Sequence, residues 1–210
     1  RIQKALPTIN YLVSEGARVI LITHIGRDPE NTTEPIFNEL TKHLNISHIE
    51  AVVGGAVEAK VSVLKEGEVL LLGNLRAYKG EDANDPLFGK KLASYADLYV
   101  NDAFAVSHRA HASIVGIPAH IPGFAGITFV EECEHLSHAL TPEHPALFIL
   151  GGAKFETKQP LVEKYAEHYT NTFIGGALAN DFLKGKGYEV GESMLSPVDL
   201  SASPLLKKEN

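Results

Sequence analysis

One cysteine, one methionine and no tryptophan occur in 210 residues. The single Cys133 excludes an intrachain disulfide framework and a zinc site built on several cysteines. Such scarcity fits a reducing compartment, and a cytoplasmic location is expected. No apolar run approaches the roughly eighteen residues that span a bilayer, so no membrane association is expected. Basic residues are the minority, 19 Lys and Arg against 26 Asp and Glu, for a formal net charge of −7. That balance argues against nonspecific binding to nucleic acid or to an acidic membrane surface, and neither partner is expected. Extremes of composition are missing as well. With 44% apolar and 21% charged residues, the chain is neither disordered, collagenous nor a coiled coil.

What is present is a chain long enough for one large domain or two small ones. The negative charge is uneven. Residues 1–128 hold 12 basic against 14 acidic side chains, a net of −2, and residues 129–210 hold 7 against 12, a net of −5. An anionic small-molecule substrate is expected first on the less acidic half.

Apolar positions alternate between helical and strand spacing. Ile2 to Val13 reads as a helix closed by Gly16, and Arg18–Thr23 (RVILIT) as a buried strand. Helix Thr33–Leu44, strand His48–Val53, helix Ala56–Leu64, strand Glu68–Leu72, helix Asp85–Tyr95 and strand Asp97–Asn101 follow. Residues 110–128, rich in Gly and Pro, carry no regular pattern. A helix from Phe129 to Leu140 precedes the break Thr141-Pro142-Glu143-His144-Pro145. Strand Ala146–Leu150 then runs into Gly151-Gly152-Ala153-Lys154, which is read as opening a helix of about fifteen residues. Strand Asn171–Ile174 runs into Gly175-Gly176. The alternation predicts an α/β fold of two doubly wound parallel-sheet domains joined by a helix and hinge. We divide it into residues 1–128, a linking helix 129–142, and residues 143–210. The second domain shows two strands, too few to stand alone, so the pattern is expected to continue beyond the given sequence.

Ligands of open parallel sheets bind outside the carboxyl ends of the strands. Those ends carry His24-Ile25-Gly26-Arg27, Gly73-Asn74-Leu75-Arg76, and Ser107-His108-Arg109-Ala110-His111. Three arginines at equivalent strand ends suit a phosphate or carboxylate, because a planar guanidinium offers two parallel hydrogen bonds and keeps its charge. His24 fits a ligand contact or a satisfied structural histidine equally well. The Gly-Gly-Ala-Lys turn fits a tight connection or a phosphate-approaching backbone. Lys158, four residues after Lys154, would share its helical face. Neither G-x-x-x-x-G-K-[ST] nor G-x-G-x-x-G is present, which disfavours a P-loop or dinucleotide-binding Rossmann domain, and no H-x-x-x-H or H-E-x-x-H pair suggests a metal site. An arginine-rich pocket and a glycine-and-lysine pocket together suggest a kinase for an anionic small molecule.

The segments RIQKALPTINYLVSEGARVILITHIGR, LLGNLRAYKGED, ADLYVNDAFAVSHRAHAS, LFILGGAKFETK and IGGALANDFLKGKGYEVGES resemble phosphoglycerate kinases, in order and along nearly the whole chain. The resemblance implies a hinge-bending glycolytic enzyme, monomeric when complete. It would move a phosphoryl group reversibly between 1,3-bisphosphoglycerate and ADP, giving 3-phosphoglycerate and ATP, with Mg2+ accompanying the nucleotide. It makes residues 1–128 the phosphoglycerate domain and residues 143–210 the beginning of the nucleotide domain. It implies catalytic roles for Arg1 and Lys154, and substrate contacts from Arg1, His24, Arg27, Arg76 and Arg109. Nucleotide contacts would come from Gly151, Gly152, Ala153, Lys154, Lys158, Gly175 and Gly176, and no metal ligand from this chain.

Three motifs depart from the family's usual form. E-N-L-R becomes Gly73-Asn74-Leu75-Arg76, F-G-T-A-H-R becomes Phe104 to Arg109, and G-G-G-M-A becomes Gly175 to Ala179. Ala177 is expected to tighten or shift the nucleotide fit. The family's D-x-N strand would precede Arg1, and its magnesium-holding loop would follow Asn210. The 210 residues alone are therefore expected to be inactive. Two rivals are a non-enzymatic anion-binding remnant and another small-molecule kinase on a related sheet.

Overall fold

In a computed structural model, the structure describes residues 2–26, 28, 30–153, 155–165, 167–198, 200 and 206. The chain divides into two compact units, Arg1–Cys133 and Glu134–Asn210. The division falls inside a helix that the sequence places at 129–140 and that runs Ile127–Leu140.

The first unit runs α1 (Ile2–Ser14), β1 (Val19–Thr23), α2 (Glu34–Leu40), β2 (Ile46–Ile49), α3 (Gly55–Val63), β3 (Val69–Asn74), α4 (Lys79–Asp82), α5 (Pro86–Ala93), β4 (Tyr99–Asn101) and β5 (Gly123–Ala125), then enters α6 (Ile127–Leu140). Strands β1, β3 and β2 form a parallel sheet in that order. The central strand β3 is buried at all six positions, as an apolar run in a parallel sheet requires. Leu70 and Leu72 join Val52, Val57, Leu75, Leu92 and Ile117 in one cluster, and Val69 joins Ile9 and Val19 in another. Each such leucine contributes about 1.5–3 kcal/mol by leaving water.

Strands β4 and β5 form a separate parallel pair, Tyr99 opposite Gly123 and Asn101 opposite Ala125. The sequence gives no regular element for residues 110–128. The structure places β5 there, after a π-turn at Ala112–Gly116 and a 3-10 turn at Ile117–Ala119. Three residues that begin with a glycine after Pro122 are too few to show a period.

The second unit holds β6 (Leu147–Gly151), α7 (Gln159–Tyr165), β7 (Asn171–Gly175) and α8 (Leu178–Gly185). β6 and β7 pair in parallel, Leu147 opposite Asn171 and Gly151 opposite Gly175. The fifteen-residue helix read after the glycines is a correction. Residues 155–158 turn, and α7 spans only seven residues. Pro160 explains the start, because a residue without an N–H and with a fixed φ fits only the first turn of a helix.

Two boundaries in the first unit also differ from the reading. The helix read to Leu44 ends at Leu40, and the strand read from His48 lies at Ile46–Ile49. No helix among the described residues is long and apolar enough to cross a membrane.

Candidate functional site

In the first unit, the carboxyl end of β3 organises the loops. Gly73 has no room for a side chain, since a Cβ there would stand 1.8 Å from the backbone oxygen of Glu50. The carboxylate that the family's usual motif carries at this position is thus excluded by the backbone of the residue just after β2.

Asn74, 2% exposed, follows. Its Oδ1 accepts from the backbone N–H groups of Ile25 at 3.3 Å and Arg76 at 3.2 Å. Its Nδ2 donates to the carbonyls of Ile25 at 3.1 Å and Asn31 at 2.9 Å. Arg76 sits in a 3-10 turn, Leu75–Ala77. Its Nη1 donates to the Gly26 carbonyl at 2.5 Å, and its Nε lies 3.9 Å from Oδ1 of Asp82. That Nε is buried without a hydrogen-bond partner among the described residues.

The turn after Arg109 is held by α4. Glu81, 2% exposed, accepts from the Ser113 N–H at 3.0 Å and the Ser113 hydroxyl at 2.5 Å. His111 lies between Glu81 and Asp82, at 3.7 and 3.5 Å. Arg109 itself is half-buried, and its Nε approaches Nε2 of His108 at 3.4 Å. Arg76 and His111 therefore meet at Asp82, and the loop after β1 meets Arg76 at Gly26. His24 is half-buried directly before Ile25. Arg1 and Arg27 lie outside the described residues.

In the second unit, the two glycine turns stand side by side at the carboxyl ends of β6 and β7. The Leu178 N–H donates to the Gly152 carbonyl at 2.9 Å. Gly176 has φ +64°, and a Cβ on it would stand 3.3 Å from that same oxygen, so both conformation and space favour glycine. The Lys158 side chain passes over Gly152, its Cε 3.6 Å from where a Cβ would be. Ala153 is exposed and Ala177 half-buried.

Lys158 belongs to the turn before α7 and not to the helix read for it. Lys154 lies outside the described residues, and so does the face read as shared between the two lysines. A relay absent from the sequence reading fixes this turn. The Phe155 N–H donates to the Ser196 hydroxyl at 2.9 Å. Ser196 donates its hydroxyl to Asp181 Oδ2 at 2.9 Å and its N–H to Oδ1 at 2.8 Å. Phe155 is fully buried with Leu178 and Leu200. A buried aspartate in the first turn of α8 gives no signal in one sequence, since its partner Ser196 lies 15 residues away.

Among the described residues, no group of three or more His, Cys, Asp or Glu side chains is placed to hold a metal ion. The hydrogen-bond donors gathered in each unit are basic side chains or backbone N–H groups, which fit anions, and in the first unit Asp82 and Glu81 stand beside Arg76 and His111.

A family description, phosphoglycerate kinase, matches residues 1–210. Phosphoglycerate kinases of Dictyoglomus turgidum and Moorella thermoacetica are each 45% identical over 202 and 203 residues, in both cases 93% of this chain but only 51% and 52% of theirs. Among solved structures, phosphoglycerate kinase from Coxiella burnetii superposes with a TM-score of 0.84 at 33% identity, over 99% of this chain and 54% of that one. The enzyme from Pyrococcus horikoshii gives 0.78 at 33% identity, over 91% and 51%. The chain belongs to the phosphoglycerate kinase family. It spans about half the length of the curated relatives it matches.

Proposed function

We propose that this chain carries the phosphoglycerate-binding part of a phosphoglycerate kinase, residues 1–128, and the opening of its nucleotide-binding part, residues 143–210. The reaction is reversible phosphoryl transfer between 1,3-bisphosphoglycerate and ADP, giving 3-phosphoglycerate and ATP. The observation that carries the reading is the family match across residues 1–210.

The chemistry of the residues supports it. Phosphoryl transfer asks a protein for in-line positioning and for cancellation of charge, with little covalent participation. His24, Arg27, Arg76 and Arg109 hold the glycerate phosphate, where each shielded charge-assisted bond is worth about 1.5–3 kcal/mol. Arg1 and Lys154 stabilise negative charge on the migrating group from the two substrates' sides. Gly151, Gly152, Ala153, Gly175 and Gly176 let backbone approach the nucleotide, and Lys158 meets its phosphates. Mg2+ enters with the nucleotide as MgATP or MgADP. Hinge closure excludes water and completes the site. The enzyme acts as a cytoplasmic monomer.

A coupled assay with 3-phosphoglycerate and MgATP tests the proposal. A version extended to the relatives' length is expected to turn over, and the 210-residue chain beside it is not. An extended version that folds and shows no phosphoglycerate-dependent turnover would overturn the assignment. Turnover by the short chain would show that the extensions are dispensable.

A further inference from the structure

We propose that Asn74 is a positioning residue that sets the substrate arginines in place, an inference that rests on the phosphoglycerate reading above. A carboxamide has two acceptor sites on oxygen and two donors on nitrogen. Asn74 uses all four: Oδ1 takes the N–H groups of Ile25 and Arg76, and Nδ2 gives to the carbonyls of Ile25 and Asn31. Only one orientation of the amide satisfies this pattern.

Both polar groups of Ile25 are paired with one side chain. The β1–β3 ladder ends at the Thr23–Asn74 pair, and the amide continues it past the end of β1. The three residues it grips sort in a telling way. Ile25 follows His24, Ile25 and Asn31 bracket Arg27 in sequence, and the third is the Arg76 backbone itself. Arg76 returns the contact through Nη1 to Gly26. One buried amide thus locks the loop after β1 onto the turn after β3, the two segments that carry three of the proposed phosphate ligands. At Gly73, directly before the amide, β3 abuts the Glu50 backbone. A side chain that served packing alone would have no reason to spend its full bonding capacity on these two loops.

The test uses Asn74→Ala and Asn74→Asp in a version of relatives' length. Asn74→Asp keeps the volume and both accepting contacts and loses both donors, so it separates the clamp from simple filling of space. Three readouts are taken: KM for 3-phosphoglycerate, KM for MgATP, and hydrogen–deuterium exchange of the 24–31 segment against the β3 segment 69–72. We expect the 3-phosphoglycerate KM to rise on the order of tenfold or more in both variants, given several buried bonds lost. KM for MgATP should stay within about twofold, and exchange should quicken at 24–31 while 69–72 stays protected. An unchanged 3-phosphoglycerate KM in either folded variant overturns the proposal, as do equal rises for both substrates. If Asn74→Ala does not fold, Asn74→Asp decides alone. If the parent enzyme turns over no 3-phosphoglycerate, the functional reading fails, and the exchange comparison still judges the clamp: unchanged exchange at 24–31 overturns it.

Discussion

Strands β3 and β6 are both apolar runs that end in glycine-containing turns, Val-Leu-Leu-Leu and Leu-Phe-Ile-Leu. Their fates differ. β3 is buried throughout, flanked by β1 and β2 with apolar clusters around it. β6 alternates between exposed and half-buried positions and pairs with β7 in a two-stranded sheet. Phe148 packs on Tyr165 and Tyr169, and Leu150 and Ile174 reach the cluster around Phe155. On the other face, Leu147, Ile149 and Phe173 are 57%, 66% and 58% exposed in these 210 residues, which span about half the length of the relatives. An apolar run therefore announces what a strand can bury, and its neighbours decide how many faces are covered.

Leu70→Ala against Ile149→Ala should show this difference at its largest. Removing the fully buried Leu70 should cost about 2–5 kcal/mol, and removing the 66% exposed Ile149 within about 0.5 kcal/mol. Denaturant unfolding of the 210-residue chain measures both, and equal losses would break the comparison.

Arg109→Ala sharpens it at the level of sites. In a version of relatives' length it should weaken 3-phosphoglycerate by about 2–3 kcal/mol and leave MgATP nearly untouched. Weakening of both substrates alike would remove Arg109 from the glycerate site.

Asp181→Ala asks whether the second unit also depends on a buried polar anchor. Losing the carboxylate, 4% exposed, should cost that unit about 1–3 kcal/mol through the orphaned Ser196 groups. Amide exchange at Phe155 should quicken. Retained protection there would mean that the buried Phe155 ring holds the turn unaided.

The smallest effect is a pH slope in the first unit. Burial, with a lesser push from the Glu81 charge, raises the Tyr99 hydroxyl from 10.0 to about 12. Between those values the unfolded tyrosine has released its proton and the folded one has kept it. The unfolded state binds fewer protons, so stability falls as pH rises from about 10 to 12. Tyr99→Phe should flatten that slope in thermal melts, and an unaltered slope would assign it to other groups.

Much of this architecture is legible in one sequence. Strands β1 and β3 are dense β-branched or leucine runs bounded by polar turns, and their ends deliver His24 and Arg76 where parallel-sheet logic expects them. The glycine pairs at 151–152 and 175–176 mark the ends of β6 and β7 for the same reason. The misses share a physical cause. Strand β5 is defined by pairing with β4, not by its own three residues. The late start of α7 is set by Pro160 against a lysine-and-glycine pattern that looks like a helix opening. Apart from the Arg76 N–H next to Asn74, the partners of Asn74, Glu81 and Asp181 lie 15 to 49 residues distant. Nothing local distinguishes them from solvated polar residues.

Gly73 makes two distant stretches of chain a single unit of variation. Because any β-carbon there would overlap the Glu50 carbonyl, a library randomised at position 73 alone should return glycine. Larger residues should surface only when positions 50 to 53 are randomised with it and the path of the chain beyond β2 can shift. A chimera that takes its 73–76 segment from a relative with a bulkier first residue would need the 50–53 segment from the same parent. Breeding or grafting at the 73–76 loop is thus a two-segment transplant, and the boundary of the exchangeable module lies at the far side of the neighbouring strand.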